Sequence, residues 1–196
     1  TMIPSHTGEA STPILDPIRG MFGKDEAEAK LGRQVPMGRI GLGAGGQATL
    51  DLSGDGFLQI AVPAWGLPNG KALVGNSGTL QAAGGRVELK AATVRGAVRD
   101  AVNVPGHISA RSASGRDGAV VLGGGGGGRV AISGGATAGG SVEISGHDVS
   151  ISGTIDARGG DGVTAPAGVM LVAAGNDIQI EPTGLLLANG TDGGRI

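Results

Sequence analysis

The chain of 196 residues has no cysteine and no tyrosine, one tryptophan and two phenylalanines. Without cysteine there is no disulfide framework and no thiolate for a structural zinc site. So few aromatics leave nothing to build a stacking platform for single-stranded nucleic acid or an aromatic sugar groove. An excess of one charge is missing as well: 15 Lys and Arg stand against 17 Asp and Glu, a formal net charge of −2, with no acidic or basic block. Nothing here would draw DNA through counterion release or dock on an anionic membrane. No apolar run is long enough to cross a bilayer as a helix, so no membrane insertion is expected. No signal-like segment opens the chain, and a targeting sequence is expected to lie outside these residues.

What is abundant is glycine, 42 residues, without the strict three-residue period of collagen. The apolar share is 39% and is made mostly of Val, Ile, Leu and Ala. In much of the chain these residues alternate with small or polar ones, which is the period of a half-buried strand and not the composition of a disordered segment.

The alternation is organised by two short motifs. Gly-Gly-x-Val-x-Ile/Leu occurs at Gly84–Leu89, Gly127–Ile132 and Gly139–Ile144, and it starts again at Gly193–Ile196. Gly-x-Ile/Leu-x-Ala occurs at Gly78–Ala82, Gly106–Ala110, Gly153–Ala157 and Gly184–Ala188. The central residues of the second motif, Leu80, Ile108, Ile155 and Leu186, are 28, 47 and 31 residues apart, and Gly135-Ala136-Thr137-Ala138 reads as a decayed copy inside the long gap. Strands this short cannot each bury a face alone. They must stack on copies of themselves, in turns of roughly twenty to thirty residues. The expected fold is all-β, a right-handed parallel β-helix or solenoid, with Val87, Leu89, Ile108, Val130, Ile132, Val142, Ile144, Ile151 and Ile155 in one continuous core.

Two regions are expected: residues 1–35 as an N-terminal arm and capping helix, and residues 36–196 as the solenoid. Thr1–Pro13 is polar and aperiodic, whereas Lys24–Leu31 is rich in helix formers and closed by Gly32. A helix of that length cannot stand alone in water, so it is assigned to cover the open first turn. Ile40, Leu42, Leu50, Leu52, Leu58, Ile60 and Val62 read as further strands of the stack. Pro63–Gly70, which contains Trp65, reads as a projecting loop, as does Arg158–Gly168.

No residue is assigned a catalytic, cofactor-binding or metal role, and no cofactor is expected. Gly41-Leu42-Gly43-Ala44-Gly45-Gly46 spells G-x-G-x-x-G, but strand-like Gln47–Leu52 follows where a dinucleotide site needs a helix N-terminus. Gly66–Ala72 is one residue short of a P-loop and has Ala72 in place of the magnesium-binding hydroxyl. Of His6, His107 and His147, the last two occupy polar positions of the repeats and could share one face with Asp148; two exposed turn histidines are the simpler reading. Asp55, Asp117, Asp161 and Asp192 lie in Gly-rich turns, which Asx-turn chemistry explains without catalysis. Gly159–Gly162 is not the Ca²⁺-binding nonapeptide, because it does not recur at period nine.

Lys71–Leu89, Val102–Arg111, Val142–Gly146 and Gly153–Gly160 together resemble the filamentous haemagglutinin family, large exoproteins secreted by two-partner systems. The similarity covers about Met37 to Ile196 and matches the β-helical stretch after the secretion domain, although the Asn-Pro-Asn-Gly signature of that domain is absent. The resemblance implies a non-enzymatic segment of an exported adhesin-like or fibre-forming protein, secreted or held on the outer surface of a Gram-negative bacterium. Its implied partners are an outer-membrane transporter of the two-partner type and a host or neighbouring-cell surface ligand, with end-to-end self-association possible and no nucleic acid. The alternatives are a β-helical carbohydrate-active enzyme, which would need paired carboxylates at a cleft, and a structural subunit of a cell-surface assembly.

Overall fold

The computed structural model describes residues 18–23, 27–29, 33–45, 47–50, 58–62, 72–92, 100–158, 168–190 and 193–196. These residues form an all-β structure in which every strand but two pairs in parallel with strands of earlier and later turns. Three stacks of strands run along the molecule. The first is β1 (Ile18–Gly23), β4 (Arg39–Ala44), β9 (Arg86–Ala91), β12 (Ala119–Gly123), and the leading halves of β15 (Ser141–Ile151) and β17 (Val169–Ile180). The second is β2 (Ala27–Ala29), β7 (Val74–Asn76), β10 (Val102–Val104), β13 (Arg129–Ile132) and the trailing halves of β15 and β17. The third is β3 (Arg33–Gln34), β8 (Thr79–Gln81), β11 (His107–Ala110), β14 (Gly135–Ala138), β16 (Thr154–Asp156) and β18 (Leu185–Leu187). The chain visits the stacks in the order first, second, third, six times over, so the architecture is solenoid-like.

Register explains the sequence spacing. Leu80, Ile108, Ala136, Ile155 and Leu186 are successive partners along the third stack. The degenerate copy at Gly135–Ala138 is therefore a full strand, and alanine stands where its neighbours carry larger side chains. All nine expected core residues lie in one buried cluster. Because successive side chains point to opposite faces, each strand gives that core only every second residue. Stacked strands lie about 4.8 Å apart, so like residues meet like along the axis and narrow aliphatic side chains fill the interior without aromatics.

Two expectations are corrected, and the motif copies are placed on their stacks. The helix and its capping role are replaced by strand at Ala27–Ala29, which pairs in parallel with β7, and the preceding Ile18–Gly23 pairs with β4. No helix occurs among the described residues. Helix propensity is worth a few tenths of a kcal/mol per residue and yields to a full parallel ladder. Lys24–Glu26 and Lys30–Leu31 lie outside the described residues, as do the arm Thr1–Pro13 and the loops 63–70 and 159–167. Next, the apolar residues between Gln47 and Val62 do not all join the stack: β5 (Gln47–Leu50) and β6 (Leu58–Val62) form an antiparallel hairpin inserted between β4 and β7. Finally, the three Gly-Gly-x-Val copies are not equivalent. Val87 and Val142 are both partners of Val120 in the first stack, whereas Val130 lies between Val102 and Val149 in the second.

Glycine is required where the second stack turns into the third. A Cβ on Gly134 would sit 1.9 Å from the Gly106 carbonyl oxygen, and one on Gly153 would sit 1.8 Å from that of Gly134. The same carbonyls accept from the next turn, Gly135 N–H to Gly106 O and Thr154 N–H to Gly134 O, each at 3.0 Å. The backbones cannot separate to admit a methyl group without breaking these bonds. Gly134→Ala is therefore expected to destabilise the fold by at least about 2 kcal/mol. Gly126→Ala, whose Cβ meets nothing within 4 Å, should be close to neutral in the same urea titration.

Candidate interaction surface

The outer faces carry the polar alternates of each strand, so any site must be assembled from residues of neighbouring turns. On the first stack the outward column runs Gly41, Glu88, Val121, Glu143, Leu171. Its early members are covered: Gly41, Gly43 and Glu88 are buried although they occupy outward positions, and β6 packs against β4 and β9 there. Burying a carboxylate is costly unless it is paired. Glu88 meets this condition with residues of its own strand, accepting a hydrogen bond from Arg86 Nε and lying 3.2 Å from Lys90 Nζ. Alternation alone places Glu88 on the outward face and gives no sign of its burial.

On the third stack Asp156 points outward yet is only 7% exposed. Its Oδ1 accepts from the Arg158 backbone N–H and from Arg158 Nε, both at 2.9 Å, and its Oδ2 accepts from Arg158 Nη2 at 2.6 Å. Burial by itself would raise the carboxyl pKa, but the Arg158 hydrogen bonds and charge, with the Arg111 charge nearby, outweigh it and hold Asp156 below the ordinary aspartate value. This matches a structural clamp on the turn rather than a proton donor.

The other candidates are dispersed. His107 is exposed on the third stack between Thr79 and Gly135, while His147 sits in β15 where the first stack bends into the second. The shared histidine face is thus not formed, and among the described residues no group of three metal-ligating side chains occurs. Asp148 accepts from Asn176 Nδ2 at 2.7 Å and neighbours Asp177 in register. Asp117 accepts from Ser112 Oγ at 2.8 Å, closing the base of a two-residue hairpin in which Ala113 pairs with Arg116. Asp55, Asp161, Asp192 and His6 lie outside the described residues. The G-x-G-x-x-G segment runs through β4 with strand β5 directly after it, so no helix N-terminus faces it.

The sixth turn stands apart. Ile178 and Ile180 continue the columns in which Val149 and Ile151 are 1% and 0% exposed, yet they are 43% and 50% exposed. Leu171 and Leu185, at outward positions of the first and third stacks, are 54% and 47% exposed. Val169-Met170-Leu171-Val172 and Leu185-Leu186-Leu187 are continuous apolar runs, the pattern of strands covered on both faces. The residues thus define an all-β protein of parallel, solenoid-like build with an apolar end turn as its most prominent open surface. No family model, curated protein or solved structure matches the chain.

One pH dependence follows from the Asp156 clamp. A carboxylate held low in the folded state adds stability that is present above its unfolded pKa, about 3.9, and is lost as pH falls through the folded value. Asp156→Asn should melt below the parent at neutral pH. The gap should close in melts recorded progressively below pH 4, and a gap independent of pH would show that the charge is not what Arg158 holds.

Proposed function

We propose that this chain is a non-enzymatic segment of an exported, surface-associated adhesin-like or fibre-forming protein, acting as a rigid shaft or binding scaffold. The observation that carries this reading is axial continuity. Six turns share three ladders and one aliphatic core, and Arg195 already pairs with Val169 as the first residue of a seventh. Such an object resists bending because each turn is hydrogen-bonded to the next along all three faces. In this proposal the fold is a right-handed parallel β-helix, since parallel crossovers within a sheet are right-handed in nearly all cases. The resemblance to filamentous haemagglutinins supplies the setting: secreted or on the outer surface of a Gram-negative bacterium, exported by a two-partner outer-membrane transporter, and presented to a ligand on a host or neighbouring cell.

The enzymatic alternative needs two carboxylates with different proton affinities converging on a substrate. Glu88 is buried in ion pairs, Asp156 is clamped by Arg158, and Asp117 is held by Ser112. Asp148 and Asp177 are the one pair of register neighbours among the described carboxylates, and Asn176 already engages the first. The reading as a subunit of a larger assembly rested on the N-terminal arm and helix; strand at Ala27–Ala29 replaces the helix, and the arm lies outside the described residues.

Two measurements test the proposal. Incubation with neutral and uronic-acid polysaccharides, from acid to alkaline pH and with or without Ca²⁺, is expected to release no reducing ends and no unsaturated uronates. Cleavage abolished by Asp148→Asn or Asp177→Asn would replace the shaft with an enzyme. Antibodies against the chain are expected to label intact producing cells or their medium; labelling only after permeabilisation would contradict export.

A further inference from the structure

Among the described residues, the end of the sixth turn is both an unfilled ladder and an unfilled core. Along the first stack, Arg39, Arg86, Ala119, Ser141 and Val169 are successive partners, and Arg195 takes the next place: it bridges Val169 in parallel, and Met170 N–H donates to Arg195 O at 2.8 Å. Gly194 enters that place as Gly118 and Gly168 enter the fourth and sixth turns, against a carbonyl at the end of the third-stack strand just before it: a Cβ would lie 1.5 Å from Ala188 O at Gly194, 1.8 Å from Ala110 O at Gly118 and 2.2 Å from Ala157 O at Gly168. By alternation Ile196 falls in the inward column above Met170. No other described strand pairs with this edge of β17. In a parallel strand the main-chain groups of alternate residues point to the same neighbour, so with Met170 facing Arg195, the amides of Val172 and Ala174 face the open side. Glu181 N–H donates to Ile151 O, so Ile178 and Ile180 face the open side too, and their side chains lie at the exposed end of the core.

We infer that this end is a strand-accepting seat whose occupant is a further parallel polypeptide turn of the same three-strand pattern, joined through Ile196 and seeded by Gly194 and Arg195. The inference rests on the proposed reading of the chain as one stretch of a longer shaft. This occupant is favoured over a second copy for a physical reason: Arg195 holds the first register position of the edge, so an incoming strand from another molecule would have to displace it. An edge with unpaired N–H and C=O groups and apolar residues is a template for strand addition, and parallel register supplies the specificity.

The test adds to the full chain a copy of its own residues 143–157 directly after Ile196, so that Ile196 takes the place Val142 holds in the fifth turn. A second version carries the same residues in scrambled order. The expected result is that the amides of Val172, Ala174, Ile178 and Ile180 exchange at least about tenfold more slowly in the native-order chain, that it melts higher than the parent, and that it sediments as a monomer. Equal slowing by the scrambled tail, or no slowing, would overturn the seat. Concentration-dependent association of the parent with the same amides already protected would assign the edge to a second copy and likewise overturn it. Either failure would leave a chain that still melts cooperatively and cleaves no polysaccharide, so the shaft reading would survive the loss of the seat.

Discussion

The interaction on which this structure depends is the parallel hydrogen-bonded ladder, with its fixed spacing of about 4.8 Å between one turn and the next. That spacing stacks residues of successive turns directly on one another, and here Val, Ile, Leu and Ala fill the interior. It also brings the corner backbones so close that Gly106, Gly134 and Gly153 have no room for a side chain. Part of the unusual composition thus has a mechanical origin: glycine is required at corners where the backbones of successive turns touch.

The same ladder decides where charge can sit. Residues at outward positions are normally solvated, and most here are small or polar. Glu88 is the exception, buried on the sheet that the appended hairpin contacts and compensated by Arg86 and Lys90 on its own strand. Asp156 shows a milder form of the problem and is held by a bidentate arginine two residues away. Both arrangements use charge to secure a strand or a turn, which is consistent with a protein whose proposed work is mechanical. At the sixth turn leucines and isoleucines take outward and end positions, as Leu171, Leu185, Ile178 and Ile180 show.

Much of the fold was legible because period-two alternation and recurring glycines are local signals. Leu80, Ile108, Ile155 and Leu186 could be aligned by eye, and even Ala136 could be placed by the gap it fills. What the sequence could not show is which stack a motif joins. Gly127–Ile132 and Gly139–Ile144 read alike, yet they lie on different faces, because stack membership is set by the number of residues spent at each corner. Ala27–Ala29 was misread since Ala and Glu favour helices locally, while the partner strand that outweighs them is 47 residues away. Leu58, Ile60 and Val62 were misassigned because a hairpin lying on the sheet has the same alternation as a strand within it. The candidate surface was partly visible, in the repeat beginning at Gly193. The exposure of Ile178 and Leu171 was not, because burial there depends on what stacks above.

The absence of cysteine gives direct access to the central claim, the register of the stacked turns. Ser109 and Thr137 are parallel partners on the third stack, 28 residues apart, whereas Ser150 belongs to the second. Adjacent parallel strands place such Cα atoms within the 4.4–6.8 Å window, given approximately, that a disulfide spans. A chain with cysteines at 109 and 137 should oxidise rapidly to an intramolecular disulfide and melt higher than its reduced form, while one with cysteines at 137 and 150 should remain reduced. Failure of the first pair to close, or equal closure of both, would contradict the three-stack architecture.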